Sequence, residues 1–478
     1  MAVDAEHPEY AERKVQWEKL RDCAAGQEAV HSKKTKYLPR LSGQTDDEYN
    51  AYLKRSLFYG ATARTIDGLS GMVFRKAFQV DVPEGMTDML NDVTLDGTDL
   101  QGFAEAVVDD DITVGRAGIL VDHPAVEANT TRAAAEANNI RPFMKAYMAE
   151  QIFNWKVQGK DNAQVLTEVR LWEWVEIQGE KEFDIKTREQ IRVLDFNEDG
   201  QYRQRVFIKK EGSADNREEW VQDGDDIIPR MNNEPLDRIP FFFVGVKSGT
   251  PSTDKPPLID LANANLSHYT TTADLEHGAH FTALPTAVIT GFTENEDKDD
   301  EFRIGGQTAW VFPDPEANVF FLEFQGKGLD TLEQRLTKKE EYMAFLGALM
   351  LAADKNGVEA TETVQIRHLG ETSVLSSLAQ SASQSIENAL QFMSEWAGFG
   401  DADIEFNLNN DFLAVSMSAQ ELTALLATWQ AGGIAFADFL DNLKRGEIVR
   451  EERTEEDIRS EIETDNPFTK EDMNDNVG

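Results

Sequence analysis

Two histidines, His277 and His280, stand three residues apart with Asp274 and Glu276 beside them. At helical spacing such a pair can share a metal ion. The His-Glu-x-x-His signature is absent and the sequence shows no third ligand, so the pair reads as helix-surface or packed histidines. Two acidic runs, Asp109-Asp110-Asp111 and ENEDKDDE from Glu294 to Glu301, could attract divalent cations. Neither has the spaced loop with a glycine hinge that calcium sites use, and both read as solvated faces. NEDG, from Asn197 to Gly200, is better explained as a hairpin turn. GRAG, from Gly115 to Gly118, continues into neither a Walker loop nor a Rossmann glycine motif. Gly-x-Ser-x-Gly does not occur, and the lone Cys23 reads as a buried structural thiol. The expectation is a protein without catalysis, metal or cofactor. The competing enzyme reading is a metal-dependent hydrolase built on the acidic runs and His277/His280.

A different feature is the polar stretch Asp354-Lys355-Asn356-Gly357, set between two long helical patterns. Asn-Gly is common in ordinary helix-to-helix loops. The elements around it must therefore say what it is for. Pro256 and Pro257 open a helix, as proline at a first helical position does. Ile259, Ala262, Leu266, Tyr269 and Ala273 then form one apolar stripe, ending before Pro285. A small segment with strands TAVITGF and TAWVF follows. A second helix starts at Leu329, with Leu332, Leu336, Met343 and Leu346 on one face. Beyond the polar loop, Leu375, Leu378, Ala382, Ile386, Leu390 and Met393 define a third helix reaching Trp396.

Upstream, EYAERKVQWEKLRDCAAG reads as a helix carrying Val15, Leu20 and Cys23 and stopping at Gly26. A segment from Asp46 places Tyr49, Tyr52, Leu53 and Leu57 at helical spacing behind an acidic start. LQGFAEAVVDDDITVG leads into a strand, AGILVDHP. From 142 to 246 the chain is β-rich, with turns at Asp199-Gly200 and Asp223-Gly224 and a buried strand PFFFVGV. Near the end, Ser418 and Glu421 form a capping box, and Gly432-Gly433 splits two helices ahead of an acidic tail.

The 478 residues suffice for two to four domains and a large core. With 47 Lys and Arg against 87 Asp and Glu, the formal charge is −40. That excludes a broad basic surface gripping DNA, but suits a wall past which DNA slides, because acid repels phosphate. Solubility is the plainer explanation of the charge. The acidic, polar N-terminus is unlike a secretory signal, and the single cysteine fits a reducing compartment. The sequence shows no apolar run long enough to span a bilayer, so no membrane partner is expected.

Several stretches, in order, resemble the portal proteins of tailed bacteriophages. YLPRLSGQTDDEYNAYLKRSLFYGATARTIDGLSGMVFRK and TVGRAGILVDHP look like the N-terminal part of one portal branch. PPLIDLANANLSHYTTTADLEHGAHFTALPTAVITG is similar to the stem helix leading into the clip, and EATETVQIRHLGETSVLSSLAQSASQSIENALQ to the long channel helix. The likeness runs from about Trp17 to Trp396.

The resemblance implies an α+β, mainly helical fold with wing, stem, clip and crown around a central channel. The wing would occupy 1–250, the first stem helix 251–283 and the clip 284–328. The second stem helix would be 329–352, the tunnel loop 353–363, the long channel helix and a wing strand 364–416, and the crown and tail 417–478. The chain would form a homo-oligomeric ring, usually of about twelve subunits, at one capsid vertex of the virion, assembled in the host cytoplasm. Double-stranded DNA would pass through it during packaging and ejection. Terminase, the head-tail adaptor, and the major capsid and scaffold proteins would be its partners. Asp354, Lys355, Asn356 and Gly357 would face DNA, with Lys355 and Asn356 touching phosphate. Asp260, Asp274, Glu340 and Glu341 are the channel-lining candidates. A tail or baseplate component is the structural alternative.

Overall fold

In the computed structural model the described residues are 2–124, 138–160, 163–179, 183–210, 219–283, 286–290, 318–322, 328–351, 373–400, 402–410, 412, 419–430, 433–445, 448–449, 453–454, 456–458 and 460–461. The fold is mixed α+β. It divides into a unit spanning 1–410 and a smaller one spanning 411–478.

The N-terminal region is helical: α1 (Pro8–Ala25), α2 (Gln27–Ser32), α3 (Asp46–Arg55) and α4 (Ala61–Val73). α1 stops at Gly26, whose φ of 88° suits a residue without a Cβ. It buries Trp17, Leu20 and Cys23, whereas Val15 lies outward and exposed, contrary to the sequence expectation. One turn of α1 has only one side to offer the core, and Trp17 takes it. α3 begins in a capping box: the Glu48 amide donates to Thr45 Oγ1 and the Thr45 amide to Glu48 Oε2. The expected single helix through Leu57 is instead two. α3 ends at Arg55, Ser56 donates its hydroxyl back to the Leu53 carbonyl, and Leu57 is exposed.

Strand β1 (Gln79–Asp81) precedes α5 (Leu100–Val114), whose second half is buried at every residue but Asp109, polar residues included. Gly115 ends α5 with φ 76°. Gly118 sits where a Cβ would come within 2.3 Å of the Phe241 ring. Both glycines of GRAG are therefore there for backbone geometry and close packing. β2 (Arg116–Asp122) and β3 (Phe143–Met148) follow. Next come the strands β4 (Ile152–Lys160), β5 (Ala163–Gln178), β6 (Ile185–Phe196), β7 (Tyr202–Lys209) and β8 (Trp220–Gln222), an antiparallel sheet in chain order. Gly200, at φ 75°, makes the turn between β6 and β7. β9 (Arg230–Met231) and β10 (Glu234–Pro235) form a small hairpin. β11 (Phe241–Gly245), the expected buried strand, pairs with β2, giving the sheet order β11-β2-β3.

The C-terminal half contains α6 (Ile259–Ala283), β12 (Thr286–Thr290), β13 (Asn318–Leu322), α7 (Leu329–Leu349) and α8 (Val374–Ala397). β12 pairs antiparallel with β13, so Asn318–Leu322 supplies the partner strand; TAWVF lies outside the described residues. α8 buries Leu375, Leu378, Ala382, Ile386, Leu390 and Met393, the stripe read from the sequence. It lies against β11, where Ser385 donates to the Phe243 carbonyl at 2.9 Å. β14 (Glu405–Asn407) closes the unit by pairing with β1. In the smaller unit, α9 (Ala419–Gln430) and α10 (Phe436–Arg445) meet through Trp429 stacked on Phe439, ring centroids 4.8 Å apart.

Candidate functional site

The long pair α6 and α7 holds all four channel-lining candidates, so its construction decides what they can do. Leu329 approaches Gly278 at the far end of the pair, and Glu340 approaches His268 nearer the base. The two helices are thus antiparallel. Their seam is partly polar. Lys339 Nζ donates to the Ser267 carbonyl (2.7 Å), Ser267 Oγ (2.9 Å) and Thr271 Oγ1 (2.6 Å). One ammonium with three donors thereby spans two helices. His268, buried, faces Glu340 at 3.2 Å; burial outweighs the nearby carboxylate and lowers its pKa.

The base of α6 is tied to the N-terminal helices by polar residues at buried positions. Asn265 Oδ1 accepts from the Thr62 amide and hydroxyl, and its Nδ2 donates to the Tyr59 carbonyl at 2.6 Å. A side chain 203 residues away thus caps the first turn of α4. The Tyr269 hydroxyl lies 3.0 Å from Ser56 Oγ, which can accept its proton while donating its own to Leu53. Arg116, almost fully buried, donates to the Pro251 carbonyl at 2.8 Å just ahead of α6, and stacks 4.3 Å over Trp155 and 4.7 Å over Phe243. Burial pulls its pKa down to about 9.

Asp260 is exposed and paired with Lys255 at 2.8 Å. Asp274, nearly four full turns further along, shares the exposed face of α6 and accepts the Tyr52 hydroxyl at 2.7 Å. Glu340 turns to His268, whereas Glu341 is exposed on another side of α7. The four do not form one cluster: Asp260 and Asp274 share a face, and Glu340 and Glu341 diverge. Asp354, Lys355, Asn356 and Gly357 lie outside the described residues, as do 364–372 of the expected channel helix. What is described is their anchorage: the Leu375 amide donates to the Met350 carbonyl at 3.0 Å, so α8 begins where α7 ends.

His277 packs against Tyr52, ring centroids 5.2 Å apart, with Arg55 3.5 Å away; burial and that guanidinium lower its pKa. No group of three or more His, Cys, Asp or Glu side chains among the described residues could hold a metal ion. Cys23 is buried and its thiol is pushed up to about 12 by burial. Of the aspartate run expected to be solvated, only Asp109 is exposed; Asp110 and Asp111 are buried, because they lie on the sides of α5 that other elements cover. Asp110 pairs with Arg21 at 2.7 Å, while neither oxygen of Asp111 has a hydrogen-bond partner. A cavity of about 510 Å³ lies elsewhere, between residues 2–4 and the strands β5 to β8, with Arg170 donating to the Ala2 and Val3 carbonyls on its wall.

Sequence reasoning missed Lys339, Asn265, Tyr52 and Arg116. The signal for Asn265 and His268 was present: polar residues at positions of α6 that helical spacing turns inward.

Comparisons with known proteins add little to this geometry. A family model described as Domain of unknown function (DUF4055) matches residues 257–397, from the start of α6 to the end of α8. No curated protein matches. Among solved structures, the neck of an empty GTA particle computed with C6 symmetry aligns at 12% identity, covering 83% of this chain and 91% of that one, with a TM-score of 0.37. The neck of a native GTA particle computed with C12 symmetry aligns at 11% identity over 81% and 89%, TM-score 0.35. The virion of a native gene transfer agent particle aligns at 12% over 85% and 95%, TM-score 0.36. Scores at this level do not establish a common fold.

Proposed function

We propose that this chain is a portal protein: a non-enzymatic subunit of a ring at one capsid vertex, through which DNA is packaged and ejected. One observation carries the reading. An antiparallel helix pair, α6 and α7, bears a strand pair β12–β13 between its far ends, and at its base the end of α7 meets the start of a long buried helix, α8. That is the order the resemblance implies for stem, clip, stem and channel helix. The hydrogen bond between Leu375 and Met350 adds that the chain carrying Asp354 to Gly357 departs and returns at one point, as a loop presented to a channel must. In this reading Lys355 and Asn356 touch phosphate weakly, once per subunit, and the polar face of α6 borders the bore. Terminase and then the head-tail adaptor dock on the clip, residues 284–328. The remaining partners are the capsid and scaffold proteins.

Mass photometry followed by class averages in negative stain tests this. The expected result is a species of twelve times 53.6 kDa, about 640 kDa, with an annular end view and a central hole. A monomer across all salt concentrations would sink the reading. A closed assembly without a hole would favour a tail or baseplate role.

A further inference from the structure

The least exposed face of α7 carries Leu332, Leu336, Met343 and Leu346, with Met343 buried and the three leucines half-buried. Two other sets of residues share the rest of its circumference. Arg335, Lys338, Tyr342, Phe345 and Leu349 follow at alternating steps of three and four, and all are exposed. Tyr342 is 51% accessible, Phe345 56% and Leu349 42%, a continuous apolar surface larger than a lone exposed side chain. Asp330, Glu333, Thr337, Glu341, Ala344 and Ala348 form the other set, also exposed. At about 100° per residue the leucine-methionine set, the basic-aromatic set and the acidic-alanine set divide the helix roughly into thirds.

The two exposed flanks complement each other. One carries cations and large rings; the other carries carboxylates and small side chains. Among the described residues no ion pair engages Arg335, Lys338, Asp330, Glu333 or Glu341. Asp260 and Asp274 on α6 differ, since they are taken by Lys255 and Tyr52.

We infer that the basic-aromatic flank of α7 docks on the acidic-alanine flank of α7 in a second copy of this chain. Because the two flanks differ, the contact is heterologous, and every added copy leaves one flank of each kind open until a ring closes. In a ring, successive copies sit at one height. Arg335 then meets Glu333, Lys338 meets Glu341, and Phe345 and Leu349 cover Ala344 and Ala348. This deepens the ring reading and rests on it for closure. It also moves Glu341 from the channel lining to the subunit contact.

The test uses two full-length variants, Arg335→Glu/Lys338→Glu and Glu333→Lys/Glu341→Lys, with circular dichroism to establish that each folds. Alone, each presents like charge to itself, and the assembled fraction should fall about tenfold or more. Mixed in equal amounts, every contact in an alternating ring joins opposite charges, and assembly should return to within about twofold of wild type. Native mass spectrometry would show equal numbers of the two chains. Assembly of either folded variant alone at the wild-type level overturns the inference and leaves the ring reading standing. So does a mixture that fails to recover. A wild-type chain that never assembles removes the ring reading itself.

Discussion

Asp111 is the residue whose behaviour departs furthest from its sequence context. Three consecutive aspartates in a chain of net charge −40 suggest solvent, yet Asp111 is fully buried and both its oxygens lack partners. Burial, reinforced by Asp254 and Asp110, raises its pKa well above the usual carboxylate range. The sign follows directly. The unfolded chain ionises this group near its ordinary value of 3.8, while the folded chain keeps it protonated to higher pH. Folding must therefore take up a proton, which costs more as pH rises, by about 1.4 kcal/mol per unit above that value until the folded pKa is reached. Asp111→Asn removes the titration. Relative to wild type, the variant should gain stability as pH rises above about 4. Urea denaturation at stepped pH measures it; a pH-independent difference would show that Asp111 does not titrate with folding. Nothing in the local spacing revealed this. Asp110 and Asp111 are buried, and Asp109 is not, because distant elements cover those sides of α5, which a sequence window does not contain.

Elements were more legible than residues, and for a physical reason. A long helix packed on one side repeats its signal many times, so α6, α7 and α8 were readable from their stripes to within a few residues. Short elements gave the signal little room: the break after Arg55 and the outward Val15 both went against the pattern. What joins elements was illegible throughout, because it depends on contacts between distant positions. Glu173 on β5 is the strongest case. It is buried, bound by Lys145 at 2.8 Å, Tyr147 at 2.6 Å, Gln190 at 2.8 Å and Arg192 at 3.2 Å, and so locks β3 to β5 and β6. Against the cost of burial, Arg192 and Lys145 hold its pKa at about 2. Its ionised form stabilises the fold above the unfolded pKa near 4.5, and that contribution disappears as pH falls through about 2. Glu173→Gln, which takes the buried carboxylate from Arg192 and the partly exposed Lys145, should cost roughly 3 kcal/mol at pH 7, with the gap to wild type narrowing below pH 4.5. Thermal or urea unfolding at the two ends of that range would reveal it, and a constant gap would refute the electrostatic origin.

At the scale of the whole molecule the charge sets the terms of assembly. Copies of a −40 chain repel one another at long range, whereas the α7 contact proposed between them is local and attractive. Salt separates the two. The Debye length is about 30 Å at 0.01 M and about 8 Å at 0.15 M, so moderate salt removes most of the repulsion across a subunit while charges in direct contact keep more of their attraction. Ring formation should therefore rise as salt goes from about 10 mM to about 150 mM and decline again toward 1 M, where only the apolar contacts of Tyr342, Phe345 and Leu349 remain. A channel built this way also has little hold on DNA. If Lys355 supplies one of its few cations, Lys355→Ala should leave the rings unchanged in size and number, because it lies in neither flank of α7. The change should instead fall on DNA. A single exposed cation per subunit contributes little alone but is repeated around the ring. The variant should package DNA several-fold less completely, read as the length of nuclease-protected genome per particle. Full-length genomes in Lys355→Ala particles would take Lys355 out of the DNA path without touching the ring. Rings that fail to form would place it in the subunit contact instead.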